Sequence, residues 1–454
     1  MATGLQQTRG LILKLTISYR FDRFGITPYY KLTSIFYRHN GFVKVFREEY
    51  MEQSALGGMK VVEFCSRIGG AYCTKLMADM GAEVIKVEPP AKGDDARRRG
   101  PFQGDIPHPE KSGHFLFLNS NKLGITLNPS KPAGSEIFIS LIKDADILVE
   151  DTPPGMLEKM GLGYETLHEI NPGLIMTSIT AFGRSGPYKD YKAAHLNISH
   201  VSGQGYLLPI PAPDINRPPV MPGGNKGGYD IGITALVAVL AAYYQKGISG
   251  KGQLLEISRQ EALMGMQRIE AASFRNSNIK LDRSPELHRR RIGGVIACKD
   301  GYITLIFPQE SQWVSLLKMM GNPEWSREPY CENSAAREEH AEKINEKIAA
   351  FMKDYTRREI VELGQSFSIP FSPVNTAKDI VESEQFNEVG FFKTITHPVM
   401  GEIKFPTAPY RFSKTPWSAK KAAPLLGEHN VEIYCGRLKY DKEDLIRLRQ
   451  SDII

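Results

Sequence analysis

The sequence predicts an α/β protein with a parallel sheet and a second, smaller domain. Three observations lead there. Residues 59–87 form a strand, glycine turn, helix, glycine, strand unit of about thirty residues. The same alternation runs on to about residue 257, and after about residue 270 the texture shifts to a hairpin followed by charged helices.

The apolar run Met59–Phe64 reads as a buried strand. Gly69-Gly70 breaks the chain before a helix over Ala71–Met80, and Gly81 closes that helix ahead of the strand Ala82–Val87. The glycines do not follow GxGxxG, so no dinucleotide fingerprint is present. Gly124–Leu127 is the next strand, Ala133–Asp144 an amphipathic helix, and Ile147–Val149 a short strand. Pro154–Gly161 carries proline in its first turn and a closing glycine, as a short helix does. Leu174–Ile179 is a strand, and Ile231–Lys246 an Ala-rich apolar helix expected to be buried on most sides. The turn Gly250-Lys251-Gly252 leads into the strand Gln253–Ile257.

Beyond residue 270, Arg289-Arg290-Arg291 and Gly293-Gly294 precede a strand pair around Ala297–Phe307, turned at Lys299-Asp300-Gly301. Charged helices follow over Ala336–Gln365, and the proline-rich stretches Ile369–Pro373 and Phe405–Pro409 lead back toward the first domain. The expected organisation is 1–54 as an extension, 55–270 as the first part of the large domain, 271–385 as the small domain and 386–454 as the return.

The 454 residues are 41% hydrophobic and 24% charged, ordinary values for a globular chain. The five cysteines are scattered and form neither a CxxC nor a Cys/His metal spacing, which points to a reduced protein with no structural metal. No window holds the roughly 18 unbroken apolar residues of a membrane helix. Residues 1–50 hold eight Lys/Arg against three Asp/Glu, so +5 of the net +6 lies there and the remainder is nearly neutral. That balance argues against a nucleic-acid surface on the main body. The first segment shows no signal-peptide pattern. It reads as a non-native extension with Met51 as the true start, with a mitochondrial transit segment as the alternative. A cytoplasmic location is expected, or a mitochondrial one on the alternative reading.

Several stretches together resemble the class III CoA-transferases, the CaiB/BaiF family, whose members include formyl-CoA transferase, carnitine CoA-transferase and alpha-methylacyl-CoA racemases. They are GGMKVVEFCSRIGGAYCTKLMADMGAEVIKVEPP (57–90), NSNKLGITLN (119–128), DADILVEDTPPGMLEKMGLGYETLHEINPGLI (144–175), AFGRSGPY (181–188), SGKGQ (249–253) and APLLGEH (423–429). The resemblance spans about residues 55–430. It implies a large Rossmann-like domain, a smaller α+β domain, and a dimer of interlocked rings, either a homodimer or a heterodimer with a homologue. The substrates it implies are an acyl-CoA and a carboxylic acid, with coenzyme A as the carried group and no metal. In the family's transferases an aspartate attacks the thioester, forming first a mixed anhydride and then an enzyme-bound CoA thioester.

The resemblance also assigns residues. Ser66, Arg67, Ile68 and Gly69 match the family's CoA loop, at the carboxyl end of the first strand where open parallel sheets hold ligands. A tight strand–helix connection is the plainer account of that loop. Arg97, within Arg97-Arg98-Arg99, suits a phosphate, with a solvated charge run as the alternative. Leu127, Asp151 and Thr152 match positions lining the nucleotide, although Asp151 stands where the family commonly has Asn. Lys159 matches a basic residue near the phosphates and Lys192 a lysine just before the family's pocket helix, and either would also serve as an ordinary surface lysine.

Counting back from the SGKGQ turn, the family's nucleophilic aspartate falls on Gly228, which has no side chain. Asp230 lies two residues on, either as a displaced nucleophile or, more simply, as a cap at the start of the following helix. His195 lies one place from the racemases' proton-transferring histidine, and a neutral imidazole there could act as a base. Packing is the simpler role for His195. The expected function is therefore CoA transfer from an acyl-CoA to a carboxylic acid, without the usual aspartate. The alternatives are acyl-CoA racemisation or isomerisation, and an inactive CoA-binding partner subunit.

Overall fold

The computed structural model describes residues 54–209, 212, 214–280, 282–283, 292–306, 309–417 and 420–454, together with four short strands in the first fifty residues. The chain divides into two compact units, Met1–Gln53 and Ser54–Ile454. In the first, Leu15–Asp22 pairs antiparallel with Gly25–Leu32, and Arg38–His39 with Phe42–Val43. The Arg289-Arg290-Arg291 run lies outside the described residues.

The second unit is built on a six-stranded sheet. Its strands are β1 (Lys60–Phe64), β2 (Glu83–Glu88), β3 (Leu123–Thr126), β4 (Ile147–Glu150), β5 (Ile175–Thr180) and β6 (Leu254–Ser258). All neighbours run parallel, in the order β6-β5-β4-β1-β2-β3. This is the Rossmann order, and its direction reverses between β1 and β4. The strands are near-continuous apolar runs because helices cover both faces. On one face α1 (Ile68–Asp79) and α7 (Lys226–Ser249) pack over Val61, Val84, Val149 and Ile179. On the other, α3 (Pro132–Ile142) packs over Val62, Ile125, Leu148 and Met176.

Two expectations are corrected here. Gly69 and Gly70 do not break the chain but sit in the first turn of α1, which begins at Ile68. Gly69 is there because α1 and α7 cross closely: a Cβ on it would lie 2.8 Å from Ile231 Cγ2, and one on Gly232 would lie 2.9 Å from the Gly69 carbonyl oxygen, whereas a Cβ on Gly70 would lie 2.3 Å from Cys65 Sγ. In addition, α7 is long and apolar enough to cross a membrane by length and composition, yet it is not buried on most sides. It buries Ile231, Ala235, Val239 and Ala242 and leaves Ile233, Val237, Tyr244 and Ile248 exposed along another face.

Between residues 294 and 373 a separate apolar cluster forms around Ile303, Leu305, Leu316, Ile344, Ile348 and Phe371. It comprises an antiparallel sheet of Gly294–Cys298, Gly301–Leu305 and Phe371–Pro373, backed by helices that include Glu310–Met319, Ala341–Met352 and Arg357–Ser366. The chain then returns to the first sheet. His429 pairs with Gly124 in both directions, Asn430 Oδ1 accepts from Thr126 N at 2.9 Å, and the Tyr434 hydroxyl donates to Thr126 O at 2.6 Å. The last two residues, Ile453 and Ile454, are buried in the core beside them. This return covers β3, which would otherwise be a bare sheet edge.

Candidate active site

The strand order reverses between β1 and β4, and open parallel sheets hold ligands at the carboxyl ends of such a pair. The loop Ser66–Arg67 follows β1 and Asp151 follows β4, and the two meet there. The Asp151 carboxylate accepts from Ser66 N at 2.9 Å and from Arg67 N at 2.7 Å, anchoring the loop and the start of α1. Burial pushes the Asp151 carboxyl up to about 7, against the pull of those two amides and of the Arg67 guanidinium. Ser66 and Arg67 themselves are exposed, and Ile68 is half-buried behind them.

Helix α7 brings its first turn to the same place. Gly228 is buried, and a Cβ built on it would lie 2.9 Å from Ile68 Cβ and 3.0 Å from Ile68 Cγ2. Ile68 thus takes up the space a side chain at 228 would need. A Cβ on Gly227 would lie 2.7 Å from His195 Cε1 and 3.0 Å from Leu263 Cδ1, which puts His195 against the helix start. His195 is the first residue of α6 (His195–Val201), and burial and the Arg259 charge hold its imidazole below its usual pKa, with Asp230 opposing them.

The expected cap at Asp230 is corrected. Helix α7 begins four residues earlier at Lys226, so Asp230 lies in its second turn, where its carboxylate accepts from Lys226 Nζ at 2.7 Å. The helix begins that early because Asn225 adopts the left-handed conformation at its start and the Gly228 amide already donates to Asn225 O.

The other sequence-predicted residues divide. Lys159 and Lys192 are exposed, and Thr152 is half-buried with both its amide and its hydroxyl donating to Glu150 Oε2. Leu127 presents nothing to a ligand, because it is fully enclosed in the core with Ile137 and Phe138. Arg97 is likewise no phosphate anchor. Its guanidinium is fully buried, donates to Glu88, Glu110 and the Pro424 carbonyl, and lies 3.7 Å over the Phe115 ring. Of the three consecutive arginines, Arg98 and Arg99 are the exposed ones.

Two features escaped the sequence reading. The first is a buried charge network. Glu63 of β1 binds Lys86 Nζ and Lys122 Nζ at 2.7 Å each and accepts from the Thr74 hydroxyl at 2.6 Å, and Lys86 also binds Asp94 at 2.7 Å. Burial alone would raise the Glu63 carboxyl, but the two lysines outweigh it and hold it down at about 2. The second is Arg259, the first residue of α8 (Arg259–Met264), directly after β6. It is only 7% exposed. Among the described residues it makes no hydrogen bond or ion pair, and burial, with Arg67 adding to it, lowers its guanidinium to about 10 despite Asp151. A charged residue immediately after an apolar strand at the sheet's carboxyl edge was the available signal. Among the described residues no group of three or more His, Cys, Asp or Glu is placed to hold a metal ion.

Comparison with known proteins matches residues 56–430 to the model of CoA-transferase family III. The succinyl-CoA–D-citramalate CoA-transferase of Chloroflexus aurantiacus is 30% identical over 401 residues, covering 88% of this chain and 98% of that protein. The formyl-CoA:oxalate CoA-transferase of Afipia carboxidovorans is 30% identical over 426 residues, covering 87% and 97%. Among solved structures, a CaiB/BaiF family protein from Brucella suis is 26% identical, with a TM-score of 0.75, covering 84% of this chain and 99% of its own.

Proposed function

Because the chain belongs to CoA-transferase family III, we propose that it moves CoA from an acyl-CoA to a carboxylic acid in a ternary complex, with no acyl group passing through residue 228. The observation carrying this reading is Ile68 packed against Gly228, which supports a route with no enzymic carboxylate at the residue matching the family's nucleophile. The CoA handle would lie over Ser66–Gly69, with Arg67, Lys159 and Lys192 as the exposed cations for its phosphates and Thr152 beside them. CoA affinity in the micromolar range, about −8 kcal/mol, is expected.

In this route a carboxylate oxygen of the acceptor attacks the donor thioester carbonyl, and the C–S bond breaks to release CoA thiolate. The thiolate then attacks the acceptor carbonyl of the resulting mixed anhydride, and the donor leaves as a free carboxylate carrying one acceptor oxygen. Holding both substrates in fixed orientation supplies what the covalent route obtains from its nucleophile. Single-turnover reaction with 18O-labelled acceptor acid should put label in the released donor acid and none in the protein. Label in a peptide of α7 would overturn the direct route. Deuterium entering alpha to the thioester without CoA transfer would favour isomerisation with His195 as the base, and CoA binding without either reaction would favour the inactive partner subunit.

A dimer accompanies this reading, supported by the exposed stripe Ile233, Val237, Tyr244 and Ile248 on α7. Apolar stripes of this kind commonly pair. Sedimentation equilibrium should give a dimer, and Val237→Asp should shift it to monomer by 10-fold or more in dissociation constant, about 1.4 kcal/mol or above. A wild-type monomer at micromolar concentration would remove the dimer.

A further inference from the structure

We infer that Arg259 is the anchor for the carboxylate of the acid that accepts CoA, an assignment that rests on the transfer reading above. Arg259 opens α8 at the carboxyl end of β6, on the same edge of the sheet as Asp151 after β4 and Arg67 after β1. The carboxyl ends of β6 and β1 are three strand spacings apart, about 14 Å, and the Arg67 charge acts on Arg259 across that distance. Arg259 is only 7% exposed as a residue, yet none of its guanidinium nitrogens is among the side-chain atoms sealed from solvent without a partner. A cation with a buried stem and an open head is placed to take an anion.

The neighbouring carboxylates are already engaged. Asp151 accepts from the Ser66 and Arg67 amides, Asp230 is paired with Lys226, and Glu256 accepts from the Arg184 amide. A ligand carboxylate would supply the partner that these groups do not. A planar fork of donors suits a carboxylate in two-point contact. The location also fits the acid better than the CoA phosphates, because Arg259 is enclosed whereas Arg67, Lys159 and Lys192 are exposed. His195, the first residue of α6, packs against Gly227 of α7 and lies close enough to Arg259 to feel its charge. With glycine at 228, the carboxylate that the family's covalent route takes from the enzyme would here be the substrate's own, held by Arg259.

The test compares the full chain with Arg259→Met and Arg259→Lys. Calorimetry would measure CoA affinity, and thermal shift would measure stabilisation by millimolar acetate, succinate and benzoate with and without CoA. Arg259→Met should weaken acid binding 30-fold or more and change CoA affinity less than twofold. Arg259→Lys should retain part of the acid response. Loss of CoA affinity with acid binding intact would make Arg259 a phosphate contact and overturn the proposal. Unchanged binding of both, equal loss of both in the two variants, or no wild-type response to any of the three acids would overturn it as well. Absence of wild-type CoA binding would instead remove the transfer reading, whatever the acids do.

Discussion

Gly228→Asp, which restores the family's carboxylate, is expected to destabilise this protein rather than convert it into a covalent transferase. The new Cβ would meet Ile68 Cβ at 2.9 Å, an atom held close to the α1 backbone and unable to swing away. Overpacking of this kind costs about 1–3 kcal/mol, and an acid in the first turn of a helix returns only about 0.5 kcal/mol. Tm should fall by several degrees, and denaturing mass spectrometry after incubation with acyl-CoA should find no adduct on α7. Adding Ile68→Gly clears all three Ile68 atoms that crowd the site. The double variant should recover most of the lost Tm and accumulate an acyl or CoA adduct at position 228. If Gly228→Asp alone is as stable as wild type and forms that adduct, the packing argument fails.

Glu63→Leu should be the more damaging change to stability. Glu63 is the shared partner of Lys86 and Lys122, and all three side chains are fully enclosed. Removing it strands two ammonium groups, with only Lys86 keeping a second carboxylate, at Asp94. Breaking a buried pair from one side costs about 3–5 kcal/mol. Glu63→Leu with Lys122→Met should be less destabilised than Glu63→Leu alone, which denaturant melts in a double-mutant cycle would measure. The same carboxyl governs an acid limb. Its ordinary value of 4.5 is lowered to about 2 on folding, so its contribution is complete above pH 4.5 and is lost as pH falls from there toward 2. That contribution amounts to about 3 kcal/mol. Glu63→Gln should flatten the stability profile over this window, and an unchanged slope would show that the network does not hold the sheet.

The parallel sheet was legible because β1, β2, β4, β5 and β6 are apolar runs bounded by glycine or proline, and burial on both faces leaves few alternatives for such runs. The placing of Ser66–Arg67 at the carboxyl end of β1, beside Asp151, was legible from the same alternation of strands and turns. What was not legible depended on partners far away in the chain. Arg97 reads locally as one of three like charges, and only Glu88, Glu110 and Pro424 make it a core residue. Glu63 and Lys86 are charges within strands that read as buried, and nothing near them in the sequence shows that Lys122 and Thr74 close over them. The start of α7 was misplaced because Lys226-Gly227-Gly228 has poor intrinsic helix propensity. Contact of those glycines with Ile68 and His195 shows that packing overrides propensity there.

The clasp of Asn430, Tyr434 and Ile453 on β3 has a bearing on synthesis. Some 300 residues separate Thr126 from the groups that satisfy its backbone. A nascent chain leaving the ribosome therefore carries an unfinished sheet, with one flank open, until residues 430–453 have emerged as well. Emergence of that later segment, rather than of the sixth strand, sets the moment when this half of the molecule becomes stable.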